Sequence, residues 1–178
     1  MADVTVADIE AARAAACYPS LKDKAVLITG GASGIGASTV VHFVVQGAKV
    51  AFIDRDQGAA EALLTTLKEA GETAPLFVAC DLTDLAAAKA GAVGLTRGLA
   101  RDLGPSRIRV NHVAPGWIMT ERQKSLWVTP EKLQATLARQ CLKDELQPHD
   151  VARMVLFLGA DDSMMLSAQT FIVDAGTV

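Results

Sequence analysis

The chain has 178 residues, 51% hydrophobic, 4% aromatic and 21% charged, which suits one globular domain with a buried core and excludes a disordered or repetitive chain. Seventeen Lys and Arg against twenty Asp and Glu leave a formal charge of -3, so no basic field exists to attract nucleic acid or an acidic membrane. The cysteines Cys17, Cys80 and Cys141 are odd in number and widely spaced, which argues against a disulfide framework and a zinc site and fits a reducing cytoplasm. No apolar run approaches the roughly 20 residues of a membrane span, and Asp3, Asp8 and Glu10 stand where a signal peptide would be basic.

Residues 1–20 read as an Ala-rich leader, at most one loose helix, and residues 21–178 as a single domain. The run from Ala25 to Thr29 is short, apolar and stopped by Gly30 and Gly31, the pattern of a strand buried on both faces. Ile35, Val40, Val41, Phe43, Val44 and Val45 then recur among small residues up to Gly47, which predicts a packed helix with a glycine stop. Lys49 to Asp54 is a second strand, residues 57–70 a helix with Ala60, Leu63, Leu64 and Leu67 on one face, and residues 75–80 a third strand. A helix of small residues over 86–103 ends at Gly104 and Pro105, and residues 107–113 form a fourth strand broken by Pro115 and Gly116. Thr129 and Pro130 mark a helix start as cap and first position, a further helix covers 150–158, and residues 169–173 are the last strand. Strands alternating with helices imply parallel βαβ units, hence an α/β, doubly wound, Rossmann-like and mainly parallel sheet shortened to about five strands.

The first strand runs into Thr29-Gly30-Gly31-Ala32-Ser33-Gly34-Ile35-Gly36 and then a helix. Gly30 permits the sharp turn, Gly34 lets backbone approach a pyrophosphate, and Gly36 lets helix and strand pack closely. The helix N-terminus offers amide hydrogens and partial positive charge to phosphates. Asp54 ends the second strand, where its carboxylate accepts hydrogen bonds from ribose hydroxyls and repels a 2′-phosphate, so NAD is the expected cofactor. Arg55 beside it is a cation able to accommodate that phosphate. The alternative is a tight strand-to-helix turn that binds nothing.

These residues resemble the short-chain dehydrogenase/reductase family, whose cofactor turn is Thr-Gly-x-x-x-Gly-x-Gly. The resemblance implies a cofactor site at Thr29, Gly30, Ser33, Gly34, Ile35 and Gly36, with Asp54 at the adenosine ribose. Asp81-Leu82 resembles the family's adenine-contacting pair, Asp81 having the plainer reading of a helix cap. Lys89-Ala90-Gly91 with Leu95-Thr96-Arg97 resembles the helix after the catalytic tyrosine, which makes Lys89 either the family's catalytic and ribose-binding lysine or an exposed helical lysine. Residues 107–111 and the run from Pro115 to Thr120 resemble the segment that closes over the nicotinamide, implying contacts from Pro115, Gly116, Ile118 and Thr120; the alternative is an ordinary loop. Val173-Asp174-Ala175-Gly176 resembles the C-terminal signature. Short strings at Tyr18 to Lys22, Gln140 to Lys143 and Ala160 to Ser163 are most similar to bacterial sugar 1-dehydrogenases, which oxidise aldoses to aldonolactones.

The chain departs from the family where its chemistry resides. Between the Asp-Leu pair and the lysine, family members carry two more strands with their helices, an Asn-Asn-Ala-Gly segment, a catalytic Ser, and a Tyr in a Tyr-x-x-x-Lys pattern. Here seven residues separate Asp81 from Lys89, and Leu85 stands at the tyrosine position. The expectation is an internal deletion of two βα units, roughly 80 residues. Hydride transfer at an alcohol carbon needs a base for the hydroxyl proton. Leucine cannot serve, the single tyrosine Tyr18 precedes the first strand, and His112, His42 and His149 read as packed or capping residues, His112 having the stronger claim to act as base.

The expected wiring places the fourth strand beside the first, in the order third-second-first-fourth-last. A helix that pairs in family dimers is among the missing parts, which puts assembly through that face in question. The sequence therefore predicts an NAD-binding chain derived from a sugar or alcohol oxidoreductase and inactive as it stands, or else a non-catalytic NAD-binding module or regulatory partner of a full-length relative.

Overall fold

The structure, a computed structural model, describes residues 4–80 and 92–178. Asp81, Leu82, Leu85, Lys89 and the start of the helix expected over 86–103 lie outside the described residues. In chain order the elements are α1 (Val6–Arg13), β1 (Ala25–Thr29), α2 (Gly34–Val45), β2 (Lys49–Asp54), α3 (Gln57–Glu69), β3 (Leu76–Ala79), α4 (Ala92–Leu103), β4 (His112–Pro115), α5 (Glu121–Leu126), α6 (Pro130–Arg139), α7 (Pro148–Gly159) and β5 (Thr170–Val173).

All strand pairing within these elements is parallel, in two separate sheets: β1-β2-β3 and β4-β5. The five strands and their α/β order agree with the sequence, but the continuous sheet does not form, because β1 and β4 share no ladder. Side-chain packing bridges the sheets instead. α2 lies against α7, where Phe43 approaches Gly159 so closely that a Cβ there would stand 3.0 Å from the ring. Ile9, Val40, Val41, Phe52, Leu63, Leu67 and Leu156 form the main core around α2, joining α1, α3 and α7 to the β1-β2-β3 sheet. α2 is thus buried on several sides, which explains its near-continuous run of valines.

The register puts Ile28, Phe52 and Phe77 side by side on the core face, and Leu27, Ala51 and Leu76 on the other. Leu27 and Leu76 are each 65% exposed. The expectation that β1 is buried on both faces is therefore corrected: helices cover one face only among the described residues. The fourth strand also moves, from the expected 107–113 to His112–Pro115. Arg107 adopts φ 59 in a turn, and the following stretch is tied by side chains rather than by a ladder. Arg109 donates to the carbonyls of Leu158 (2.6 Å) and Leu166, and Asn111 Nδ2 donates to the carbonyl of Leu166 (2.9 Å).

Within the expected leader, α1 is tied down at both ends. Thr5 and Asp8 form a capping box at the start of α1, and Ile9 and Ala12 are buried. Arg13 anchors the other end, donating to Glu72 Oε1 at 2.9 and 2.7 Å and to the carbonyl of Ala70 at 2.7 Å. As the Thr129–Pro130 pattern predicts, Thr129 accepts from the amide of Lys132 and caps α6.

Candidate functional site

Parallel α/β sheets place their crevice at the carboxyl ends of the strands. Those ends are Thr29, Asp54 and Ala79 in one sheet and Pro115 and Val173 in the other. The turn after β1 relies on glycine for backbone angle at two positions and for space at two others. Gly30 and Gly34 take φ +71 and +54, in the left-handed region. A Cβ on Gly36 would lie 1.8 Å from the Gly30 carbonyl oxygen, and one on Gly31 would lie 2.6 Å from Phe52 Cβ. The first turn of α2 is thereby pressed directly onto the end of β1, with Ser33 as its extended cap residue.

Asp54 stands across this turn. Its Oδ2 accepts from the amide of Ala32 at 3.0 Å, and its Oδ1 accepts from the amide of Asp56 at 3.0 Å. The sequence reading gave this carboxylate only a ligand to hold, whereas in the fold it also braces the glycine turn against β2. Each oxygen accepts one such bond and keeps a further lone pair for another donor.

On the opposite side, the segment after β4 reaches the same turn. A Cβ on Gly34 would meet Thr120 Cγ2 at 3.0 Å. Thr120 also caps α5 by accepting from the amide of Gln123. The spacing Thr120-Glu121-Arg122-Gln123 has the capping-box form, a signal that would have found α5, a helix absent from the sequence reading. Gly116 lets the backbone pass the C-terminal strand, since a Cβ there would be 2.8 Å from Asp174 Cβ. Ile118 is buried and packs with Leu146, Val151 and Ile35, so it anchors the segment in the second apolar cluster. Pro115 pairs with Val173 at the end of β4.

Across the break between the sheets the structure brings Thr120 against Gly34 and Ile118 against Ile35, while Asp54 braces the Gly30–Gly36 turn from β2 and Gly116 packs against Asp174. Other groups lie elsewhere. Tyr18 packs near Phe157 and donates its backbone amide to Gln46. Gln46 ends α2, a helix of 12 residues and hence about 18 Å long, so Tyr18 is at the wrong end of it for chemistry at the turn. His112 opens β4 at the end opposite the crevice, its Nδ1 buried without a hydrogen-bond partner among the described residues. His149 stands at the start of α7, 3.5 Å from Asp150. No cluster of three His, Cys, Asp or Glu side chains able to hold a metal occurs among the described residues, and no helix among them is long and apolar enough to cross a membrane.

Comparison with known proteins fits this geometry. The family model described as short chain dehydrogenase matches residues 24–87, and the one described as enoyl-(acyl carrier protein) reductase matches residues 83–178. A probable galactose dehydrogenase, GalD, of Rhizobium meliloti is 30% identical over 247 residues, covering 89% of this chain and 96% of that protein. A D-xylose 1-dehydrogenase of Caulobacter vibrioides is 32% identical over 248 residues, covering 90% of this chain and 98% of that protein. Both alignments are longer than the 178 residues of this chain, so a stretch of each relative has no counterpart here. The crystal structure of a 3-oxoacyl-[acyl-carrier protein] reductase with bound NAD from Brucella melitensis superposes with a TM-score of 0.79 at 21% identity, covering 93% of this chain and 95% of that one. The turn, the closing segment and these alignments lead to one assignment: the chain is a member of the short-chain dehydrogenase/reductase family, with an α/β Rossmann-like fold.

Proposed function

We propose that the chain binds NAD at the turn between β1 and α2, and that it derives from a sugar dehydrogenase whose hydride transfer it has lost. The observation that carries the reading is the meeting of the Gly30–Gly36 turn with Asp54. The amides at the start of α2 suit a pyrophosphate, and the spare lone pairs of Asp54 suit the two ribose hydroxyls. The same carboxylate charge disfavours a 2′-phosphate, and hence NADP. Gly116, Pro115 and Thr120 flank the crevice on its second side, where the family resemblance puts the nicotinamide. When bound, that ring would take or supply a hydride at a carbon bearing oxygen.

What this chain's residues do not supply is the base. A hydroxyl proton must leave with the hydride. Tyr18 is the only tyrosine and stands at the far end of α2, and the family resemblance gives Leu85 the tyrosine position next to Lys89. Support for a sugar rather than another alcohol comes from the names of the galactose and D-xylose relatives. A second reading, a non-catalytic partner of a full-length relative, is favoured by the open apolar row of Leu27 and Leu76.

The test is a calorimetric titration of the whole chain with NAD and NADP, alongside NADH absorbance with D-galactose and D-xylose. Saturable binding of NAD over NADP, a smaller preference in Asp54→Asn, and no NADH above the enzyme-free control are expected. A folded chain that binds neither dinucleotide overturns the binding reading, and NADH production overturns the inactive one. Co-purification with a full-length relative separates the second reading from the first.

A further inference from the structure

The packing of α2 on α7 joins the two sheets, and one buried polar side chain belongs to it. His42 lies in the last turn of α2 and is only 2% exposed. Its Nδ1 is 2.8 Å from the carbonyl oxygen of Ser38, which can only accept, so Nδ1 carries the proton and Nε2 is an acceptor. That acceptor is buried with no hydrogen-bond partner among the described residues. A neutral nitrogen left dry has a moderate cost, whereas a proton on Nε2 would put an uncompensated charge in the same place.

The surroundings offer such a charge nothing. His149 and Arg153 stand one turn apart on α7, and the charge of each acts on the imidazole in the direction that opposes protonation. The other charged side chains gathered on this side of α2 are Asp8 of α1 and Glu121, Arg122 and Lys124 of α5. Both carboxylates are engaged, Asp8 by the amide and hydroxyl of Thr5 and Glu121 by Lys124 at 3.0 Å. Burial first, and then the α7 charges, hold the imidazole below its ordinary 6.5 against the opposing pull of the Ser38 bond. The closed packing therefore suits neutral His42, and the protonated form gains from any movement that admits water to Nε2.

Of the two helices packed against α2 here, α7 is the one whose movement reaches the crevice. Its Val151 packs with Ile118 and Leu146, and the amide of Met119 donates to the Leu146 carbonyl at 2.8 Å. The next residue, Thr120, is the one that meets Gly34. By contrast α1 is pinned by its capping box and by the bonds of Arg13 to Glu72 and Ala70.

We propose that His42 is a pH-sensitive latch: protonation at Nε2 releases the first half of α7 from α2, and with it the Ile118–Thr120 side of the crevice. In the opened state a hydrated imidazole takes its proton near 6.5, and in the closed state it does so lower, so opening is favoured as pH falls through 6.5. For one such group the opening constant rises by up to about tenfold between pH 7.5 and 5.5. The latch needs no dinucleotide at the turn, so a failure of NAD binding leaves it standing.

The experiment is amide hydrogen exchange of the full, unliganded chain at pH 7.5 and 5.5, expressed as protection factors so that intrinsic rates cancel, with ¹H–¹⁵N spectra of the imidazoles. Expected is a loss of protection of up to about tenfold in the first half of α7 and at Met119, at a level below that of α3 and insensitive to low urea, the mark of local opening. His42→Phe should remove the pH dependence, and His149→Gln should retain it. Should His42→Phe not fold, the Nε2 resonance in the unmodified chain decides, since it must keep the acceptor form at neutral pH and take up its proton below 6.5. The proposal is overturned by α7 protection that is independent of pH or falls only in step with α3, by a pH dependence that survives in His42→Phe or disappears in His149→Gln, or by a His42 midpoint at or above 6.5.

Discussion

Replacing Gly36 by alanine puts the packing of α2 on β1 to a direct test. The added Cβ would stand 1.8 Å from the Gly30 carbonyl oxygen and 3.1 Å from Gly31 Cα. Ordinary carbon–oxygen contacts begin near 3.3 Å, so the start of α2 must withdraw by about 1.5 Å, a whole residue of helical rise. Backbone lies on both sides of the clash, and no rotamer change relieves it. The cost should reach the top of the overpacking range, about 3 kcal/mol. For a chain of this size that is a fall in Tm of about 6–12 °C. Gly30→Ala is the control: φ is +71 but nothing lies within 4 Å of its Cβ, so only left-handed strain of about 1–2 kcal/mol is added. Urea and thermal unfolding followed by circular dichroism measure both. If Gly36→Ala costs no more than Gly30→Ala, the close packing is not what holds the turn.

Three further outcomes follow from the fold. Because the folded-state pKa of His42 is lowered, the unfolded chain binds more protons as pH falls through 6.5, so stability should decline from neutral pH downward, and His42→Phe should flatten that slope in urea titrations between pH 7 and 5. Arg153 and His149 on α7 act on this imidazole through space, and mutants of either should change the slope less than loss of the imidazole itself. Arg13→Ala removes the tie to Glu72 and Ala70; faster hydrogen exchange confined to α1 is expected, and unchanged protection would show that Ile9 alone seats the leader. Leu27→Lys, at a side chain 65% exposed, should alter stability by less than about 0.5 kcal/mol and reduce self-association in sedimentation; a loss above about 2 kcal/mol would show that this face is covered in solution.

Local order was legible where residue type and punctuation agree. Ala25 to Thr29 and Lys49 to Asp54 stop at a glycine turn and an acidic turn, and both strands have the predicted bounds. The fourth strand was misplaced because Ile108 and Val110 look like strand residues, while the ties made by Arg109 and Asn111 to Leu158 and Leu166 depend on residues some fifty positions away. Long-range pairing explains the sheet as well: apolar β1 and β4 can be joined on paper, but each is already fixed by its own neighbours, β2 and β5, and by the α2–α7 contact. Of the site, the glycine positions were visible because backbone sterics leave few alternatives. The second job of Asp54 was not, since its bond to Ala32 exists only once the turn has folded. His42 had no sequence signal beyond its place on an apolar helix, and its unpaired nitrogen emerges only from the packing of α1, α2 and α7 around it.

The division of the sheet changes what opening the crevice would cost. In an unbroken sheet, the strand ends on its two sides are fixed by a hydrogen-bonded ladder, and widening the gap means breaking it. Here the glycine turn belongs to one sheet and the Pro115–Thr120 segment follows the other, and the connection runs through packed side chains, Phe43 against Gly159 among them. Opening such a joint breaks no ladder, only side-chain contacts. A ligand spanning Gly34 and Thr120 would act as a clamp, and its grip would register as a change in the angle between the sheets, measurable as a change in distance between probes placed on β3 and β5.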